Sequence, residues 1–91
     1  MNMKMLVLFA HWCPKCNMMM ALVDEMEIKY GDRLQIVRLE VEEDSDIMEK
    51  YQAEIVPTFL FYKDDIEVGR MAGMIGEKIF YERVEFFLKA V

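Results

Sequence analysis

The 91-residue chain predicts an α/β fold: a mixed four-stranded sheet flanked by three helices, in the order β-α-β-α-β-β-α. Three observations carry that expectation. Short apolar runs alternate with helical periodicity over the first half, as parallel strands joined by crossover helices do. Two strand-like runs then follow, separated by the polar Lys63-Asp64-Asp65, which predicts a hairpin and an antiparallel finish. Beyond Gly73 and Gly76 the tail returns to helical spacing. No repeat, low-complexity tract or Pro/Gly/Ser linker marks a boundary, so residues 1–91 are expected to form one domain.

Each element has its own reason. Met5-Leu6-Val7-Leu8-Phe9 is a short apolar run, read as a buried strand. Pro14 suits the first turn of a helix. From there Met19, Leu22, Val23, Met26 and Tyr30 recur at helical spacing, and Gly31 fits the C-cap. Leu34 to Val41 is mostly apolar, the signature of a strand buried on both faces of a parallel sheet. Asp44 or Ser45 is placed to cap a short helix carrying Ile47, Met48 and Tyr51. Thr58 to Tyr62 and Ile66 to Met71 form the expected hairpin. Phe80, Val84, Phe87 and Leu88 define the buried stripe of a last helix.

Composition narrows the chemistry. A chain that is 55% hydrophobic and 31% charged has a soluble globular profile. A formal net charge of −6 argues against nucleic acid, which needs a basic face. Two cysteines and one histidine cannot complete a closed zinc site of four Cys or His ligands. A structural disulfide framework uses more cysteines, well spread. The N-terminal apolar stretch is too short for a signal peptide and runs straight into the cysteine motif. No span approaches transmembrane length. The expected location is cytoplasmic.

The sequence Trp12-Cys13-Pro14-Lys15-Cys16 carries the chemistry. Two cysteines two residues apart can cycle between dithiol and disulfide, and a bridge closing so small a loop contributes little to stability. At a helix N-terminus the favoured anion is the Cys13 thiolate, the form that attacks disulfides. The pair therefore predicts a thiol–disulfide oxidoreductase needing no cofactor and no metal.

With Trp-Cys-x-x-Cys opening the first helix, Ile55-Val56-Pro57-Thr58, and Val68-Gly69-Arg70 followed by Gly73, the chain resembles the thioredoxin family over nearly its whole length. It is similar to a short, glutaredoxin-sized version lacking an extra N-terminal strand and helix. The resemblance implies that Cys13 is the exposed nucleophile and Cys16 the resolving thiol. It implies that Pro57 is cis, and that Trp12, Val41, Val56, Ala72, Gly73 and Met74 line an apolar groove in which the Val56 backbone holds a client. Implied partners are disulfide-containing proteins and a reductase or other thiol donor, with the chain acting as a monomer.

Departures from the family pattern sharpen the reading. A buried aspartate five residues before the Trp is replaced by Val7, so proton handling at Cys16 must come from elsewhere, and Arg38, facing no such partner, is expected to be solvated. Pro14-Lys15 stands where thioredoxins carry Gly-Pro; Lys15 brings a cation to the first helical turn, which favours thiolate and a more oxidising disulfide. Residues 70–77 offer no Gly-Gly and acidic pair for glutathione.

Other residues receive plainer readings. His11 is expected as a half-exposed neighbour of the motif, and Trp12 as a contact surface. Glu40 to Asp46 reads as a solvated loop and helix cap. The alternatives are a disulfide oxidant or isomerase using the same cysteines, and a soft-metal carrier. The latter would bind Cu(I) through Cys13, Cys16 and one of the ten methionines, although methionine usually fills core gaps.

Overall fold

The computed structural model describes residues 3–44 and 46–89. Strand β1 (Met3–Phe9) leads into helix α1 (Pro14–Tyr30), then one turn of 3-10 helix (Gly31–Arg33) and strand β2 (Leu34–Glu40). Helix α2 is a single turn (Ile47–Lys50), followed by strands β3 (Thr58–Lys63) and β4 (Ile66–Ala72) and helix α3 (Glu77–Lys89). The sheet order is β2-β1-β3-β4. β1 runs parallel to β2 and antiparallel to β3, and β3 is antiparallel to β4. This is the expected mixed four-stranded sheet with three helices.

Alternation along the strands sorts the core into two faces. Met3, Met5, Val7, Phe59, Phe61 and Met71 meet Met19, Leu22, Val23 and Met26 of α1 and Phe80, Val84 and Phe87 of α3. Leu6, Leu8 and Leu60 turn the other way, where Ile47, Met48 and Tyr51 cover them. All five apolar positions expected on the buried face of α1 are buried. Gly31, at φ 53°, ends that helix with its N–H donating to the Glu27 carbonyl, a left-handed position suited to glycine. Asp64 and Asp65 both adopt positive φ in the β3–β4 turn, as a tight hairpin requires.

Four expectations change. β2 is parallel, as expected, but it is an edge strand. Gln35 is exposed and Ile36 through Leu39 are half-buried, because only β1 flanks it and the one-turn α2 covers little of its outer face. Arg38 is ion-paired rather than merely solvated: its guanidinium lies 2.9 Å from Asp24 and 3.3 Å from Glu27 on α1. Glu40 leaves the solvated acidic loop altogether and is buried at 7% exposure. The N-cap of α2 is Asp46 rather than Asp44, and its side chain makes no cap hydrogen bond; the Asp44 carboxylate instead accepts the Asp46 N–H at 3.0 Å and its carbonyl the Ile47 N–H. Ser45 lies outside the described residues.

Candidate active site

β1 delivers its C-terminal end, Phe9 and Ala10, to a turn at His11 and Trp12, and α1 starts immediately afterwards. Pro14 occupies the first helical turn, and Cys13 is the N-cap residue in extended conformation. The Cys16 N–H donates to Cys13 Sγ at 3.3 Å, so a sulfur does what a Ser or Asp oxygen does at ordinary helix starts. The Cys13 N–H is itself tied to the Ala10 carbonyl at 3.2 Å. Backbone hydrogen bonding thus sets the position of Cys13.

The two thiols are pushed in opposite directions. The Cys13 thiol is lowered first by a hydrogen bond from the Cys16 side chain, then by the N–H groups of Cys16 and Lys15 and by the Lys15 charge, while burial opposes them. Burial dominates at Cys16 and, with the Cys13 and Glu40 charges, pushes its thiol up to about 11. Both cysteines are free thiols.

Cys13 is less open than expected: it is 6% exposed, and Cys16 is fully buried. Both pack with Ala10, Phe9, Val41 and Val56. Access to Cys13 runs through an open groove of about 700 Å³ that it lines with Trp12, Pro14, Lys15, Val41, Met48, Glu54, Ile55, Val56 and Gly73. Trp12 is 65% exposed on the groove rim and so is not core. The Val56–Pro57 peptide is cis. The Val56 carbonyl lies 3.9 Å from Cys13 Sγ, so the proline loop faces Cys13. Pro57 is buried beneath the groove, and its carbonyl accepts the Gly73 N–H at 2.8 Å. Gly73 has φ 84°, a conformation L side chains rarely adopt.

Met74 lines an adjoining depression with Met18, Ile75 and Glu77, and Ala72 another with Thr58 and Arg70. The methionines are dispersed: Met19 is buried in the core and Met18 is exposed.

The thioredoxin family model matches residues 1–85. The chain belongs to the thioredoxin family. It is 32% identical over 81 residues to thioredoxin Y1, chloroplastic, of Arabidopsis thaliana, covering 89% of this chain and 47% of that protein. It is 32% identical over 76 residues to thioredoxin of Bacillus subtilis, covering 84% of this chain and 73% of the relative. The crystal structure of Fasciola hepatica thioredoxin shares the fold at a TM-score of 0.85 and 24% identity, covering 94% and 81% of the two chains. The chain spans about half the length of the chloroplast relatives it matches.

Sequence reasoning missed three residues in this thioredoxin-family site. Met48 and Glu54 line the groove beside Ile55 of the proline-loop motif, yet they lie on α2 and the loop after it, whose placement no motif signals. Glu40 is the third. One carboxylate oxygen accepts the His11 N–H at 2.8 Å, and the other accepts the Glu42 N–H. These bonds, the Glu42 one foremost, hold its carboxyl below the usual carboxylate range against the opposing effect of burial. The exposed His11 imidazole sits 3.8 Å from the same carboxylate. A signal was present: Glu40 closes the apolar run of β2, where a buried side chain is expected. Among the described residues, no cluster of three or more His, Cys, Asp or Glu could hold a metal ion, and no helix is long and apolar enough to cross a membrane.

Proposed function

We propose that this chain is a thiol–disulfide oxidoreductase that reduces disulfides in partner proteins by cycling Cys13 and Cys16 between dithiol and disulfide. The observation that carries the reading is the pairing of two thiols with opposite shifts in one helical turn, 3.3 Å from Cys13 Sγ to the Cys16 N–H. One sulfur is prepared to attack and the other is held back.

In the first exchange the Cys13 thiolate attacks one sulfur of the client disulfide. The Cys13–client bond forms, the client S–S bond breaks, and the released client thiolate takes a proton from water. Cys16 then loses its proton to solvent and attacks Cys13 Sγ. The Cys13–Cys16 bond forms, and the second client sulfur leaves as thiolate. The client gains two electrons and the pair loses two. A reductase or other thiol donor returns the disulfide to dithiol, and no cofactor or metal takes part.

Trp12, Pro14 and Lys15 modulate the pair: Trp12 by contact, Pro14 by starting the helix, Lys15 by its charge on Cys13. Val56, Pro57 and Gly73 form the client-binding wall, with the Val56 backbone pairing with an extended segment. Met74 would touch only a client that extends past the groove. We assign one domain over residues 1–91, a monomer, and a cytoplasmic location. Direction is the open alternative, since the lowered Cys13 thiol and Lys15 also suit a disulfide oxidant or isomerase. The test is reduction of insulin disulfides with dithiothreitol as electron source. The wild-type chain is expected to accelerate it, Cys13→Ser to abolish the acceleration, and Cys16→Ser to accumulate a mixed disulfide. Full activity of Cys13→Ser would overturn the proposal.

A further inference from the structure

The second thiol exchange poses an electrostatic problem. Before Cys16 can attack, its proton must leave, yet the side chain is fully buried. Val7, two residues before Phe9 on β1, is also fully buried and brings no polar group. The carboxylate that does reach this end of the sheet comes from the neighbouring strand. β2 pairs Phe9 with Glu40, and the Glu40 side chain, 5% exposed, turns back onto the loop that leads to Cys13.

Two features set Glu40 apart from an ordinary surface acid. Its two oxygens accept two different backbone N–H groups, those of His11 and Glu42. The carboxylate is therefore a clamp between the end of β2 and the turn two residues before Cys13. It is also held in its charged form, because hydrogen bonds to a carboxylate favour ionisation. A carboxylate so held is a poor proton acceptor, but it is a fixed negative charge that acts on Cys16.

We propose that Glu40 is a positioning residue that clamps the Cys13 loop and places a fixed negative charge near the resolving sulfur, thereby slowing the second thiol exchange. The inference deepens the disulfide-reductase reading and rests on it. Its logic comes from the order of steps. In the free dithiol both the Cys13 charge and Glu40 oppose a Cys16 thiolate. Once Cys13 is bonded to a client it carries no charge, and Glu40 remains. Burial still dominates at Cys16, and the Glu40 carboxylate is then the negative charge that adds to it. The other titratable or charged groups around the pair are Lys15 in the first turn of α1, His11 against Glu40, Glu42 on the loop after β2, and Glu54 across the groove. The exposed His11 side chain lies 3.8 Å from the carboxylate, so a permanent cation at that position would weaken the field.

The decisive measurement is the thiolate absorbance of Cys16 against pH in a Cys13→Ser background, which reproduces the uncharged Cys13 of the mixed disulfide. Glu40→Gln, which keeps one oxygen to accept an N–H, is expected to lower the titration midpoint, and Glu40→Asp, which keeps the charge, to leave it near the parent value. His11→Arg, at an exposed site that tolerates change, places a permanent cation opposite the carboxylate and is expected to lower the midpoint also, whether or not Glu40→Gln folds. With Cys13 intact, reaction with an aromatic nitrobenzoate disulfide gives two bursts of released chromophore, one per cysteine. Glu40→Gln is expected to speed the second burst by about threefold for every tenfold gain in thiolate, since a less basic thiolate is a weaker nucleophile. An unmoved midpoint in both Glu40→Gln and His11→Arg overturns the proposal, as does a midpoint in Glu40→Asp that falls as far as in Glu40→Gln. A missing first burst counts against the reductase reading alone, because the Cys16 titration does not pass through Cys13.

Discussion

Cys13 and Cys16 share one helical turn, yet their surroundings separate them. The N-cap position gives Cys13 Sγ an N–H partner and a nearby lysine, while Cys16 faces the core, where burial outweighs the backbone hydrogen bond from Ala10. That asymmetry has a consequence for stability. The folded Cys16 thiol titrates at about 11, above the ordinary 9.0. Between those values the unfolded chain releases a proton that the folded chain retains, so stability present below pH 9 is lost as pH rises toward 11. The full effect is about 2 to 3 kcal/mol at the 1.4 kcal/mol that one pKa unit represents. Urea unfolding of the reduced protein is expected to show this decline, and Cys16→Ala to flatten it; an equally steep decline in Cys16→Ala would contradict the assignment. The roles of both cysteines were legible in the sequence because two residue types at one spacing leave few other uses. Glu40 was only partly legible: it closes the apolar run of β2, but at the head of an acidic run it looks like surface, and only the pairing of β2 with β1 brings it under the His11 turn.

At the scale of elements, α1 is held by its apolar face and α3 by ring packing on the hairpin. Phe59 meets Phe80 edge-on at 4.8 Å between ring centres, and Phe61 meets Phe87 at 4.7 Å. β4 can approach α3 this closely because Gly69 has no side chain: a Cβ there would stand 2.4 Å from the Phe87 ring. Gly69→Ala is therefore expected to destabilise by about 1–3 kcal/mol, the usual range for overpacking a core, measured as a lower urea midpoint with an unchanged slope. A stability equal to wild type would show that α3 can shift to make room. The periodicity of α1 and α3 was readable because each has one long apolar stripe. β2 was misjudged because an apolar run states that a strand can be buried, whereas its position at the sheet edge depends on where β3 pairs, and nothing within the run records that. Arg38 was misjudged for a related reason. Its partners Asp24 and Glu27 lie on a different element, and the register between helix and strand is absent from local sequence. Such exposed ion pairs contribute little to stability.

At the scale of the whole molecule, four separate segments converge at one end of the sheet: the start of α1 with the cysteines, the turn after β2, the loop carrying Val56 and Pro57, and Gly73 at the end of β4. β1, the central strand bearing the cysteine loop, is paired on both sides along its length, so the redox pair rests on a rigid support while the groove wall comes from loops. That convergence follows from the strand order β2-β1-β3-β4, which the element order read from the sequence left open. The central claim is that Cys13 and Cys16 form a reversible couple poised for reduction of partners. The measurement that tests it most directly is equilibration of the chain in thiol redox buffers of graded potential, quenched by alkylation. The account predicts one two-electron transition within the monomer, near the roughly −270 mV typical of thioredoxin. A transition toward roughly −120 mV would make the chain an oxidant, and no transition at any potential would contradict redox function altogether.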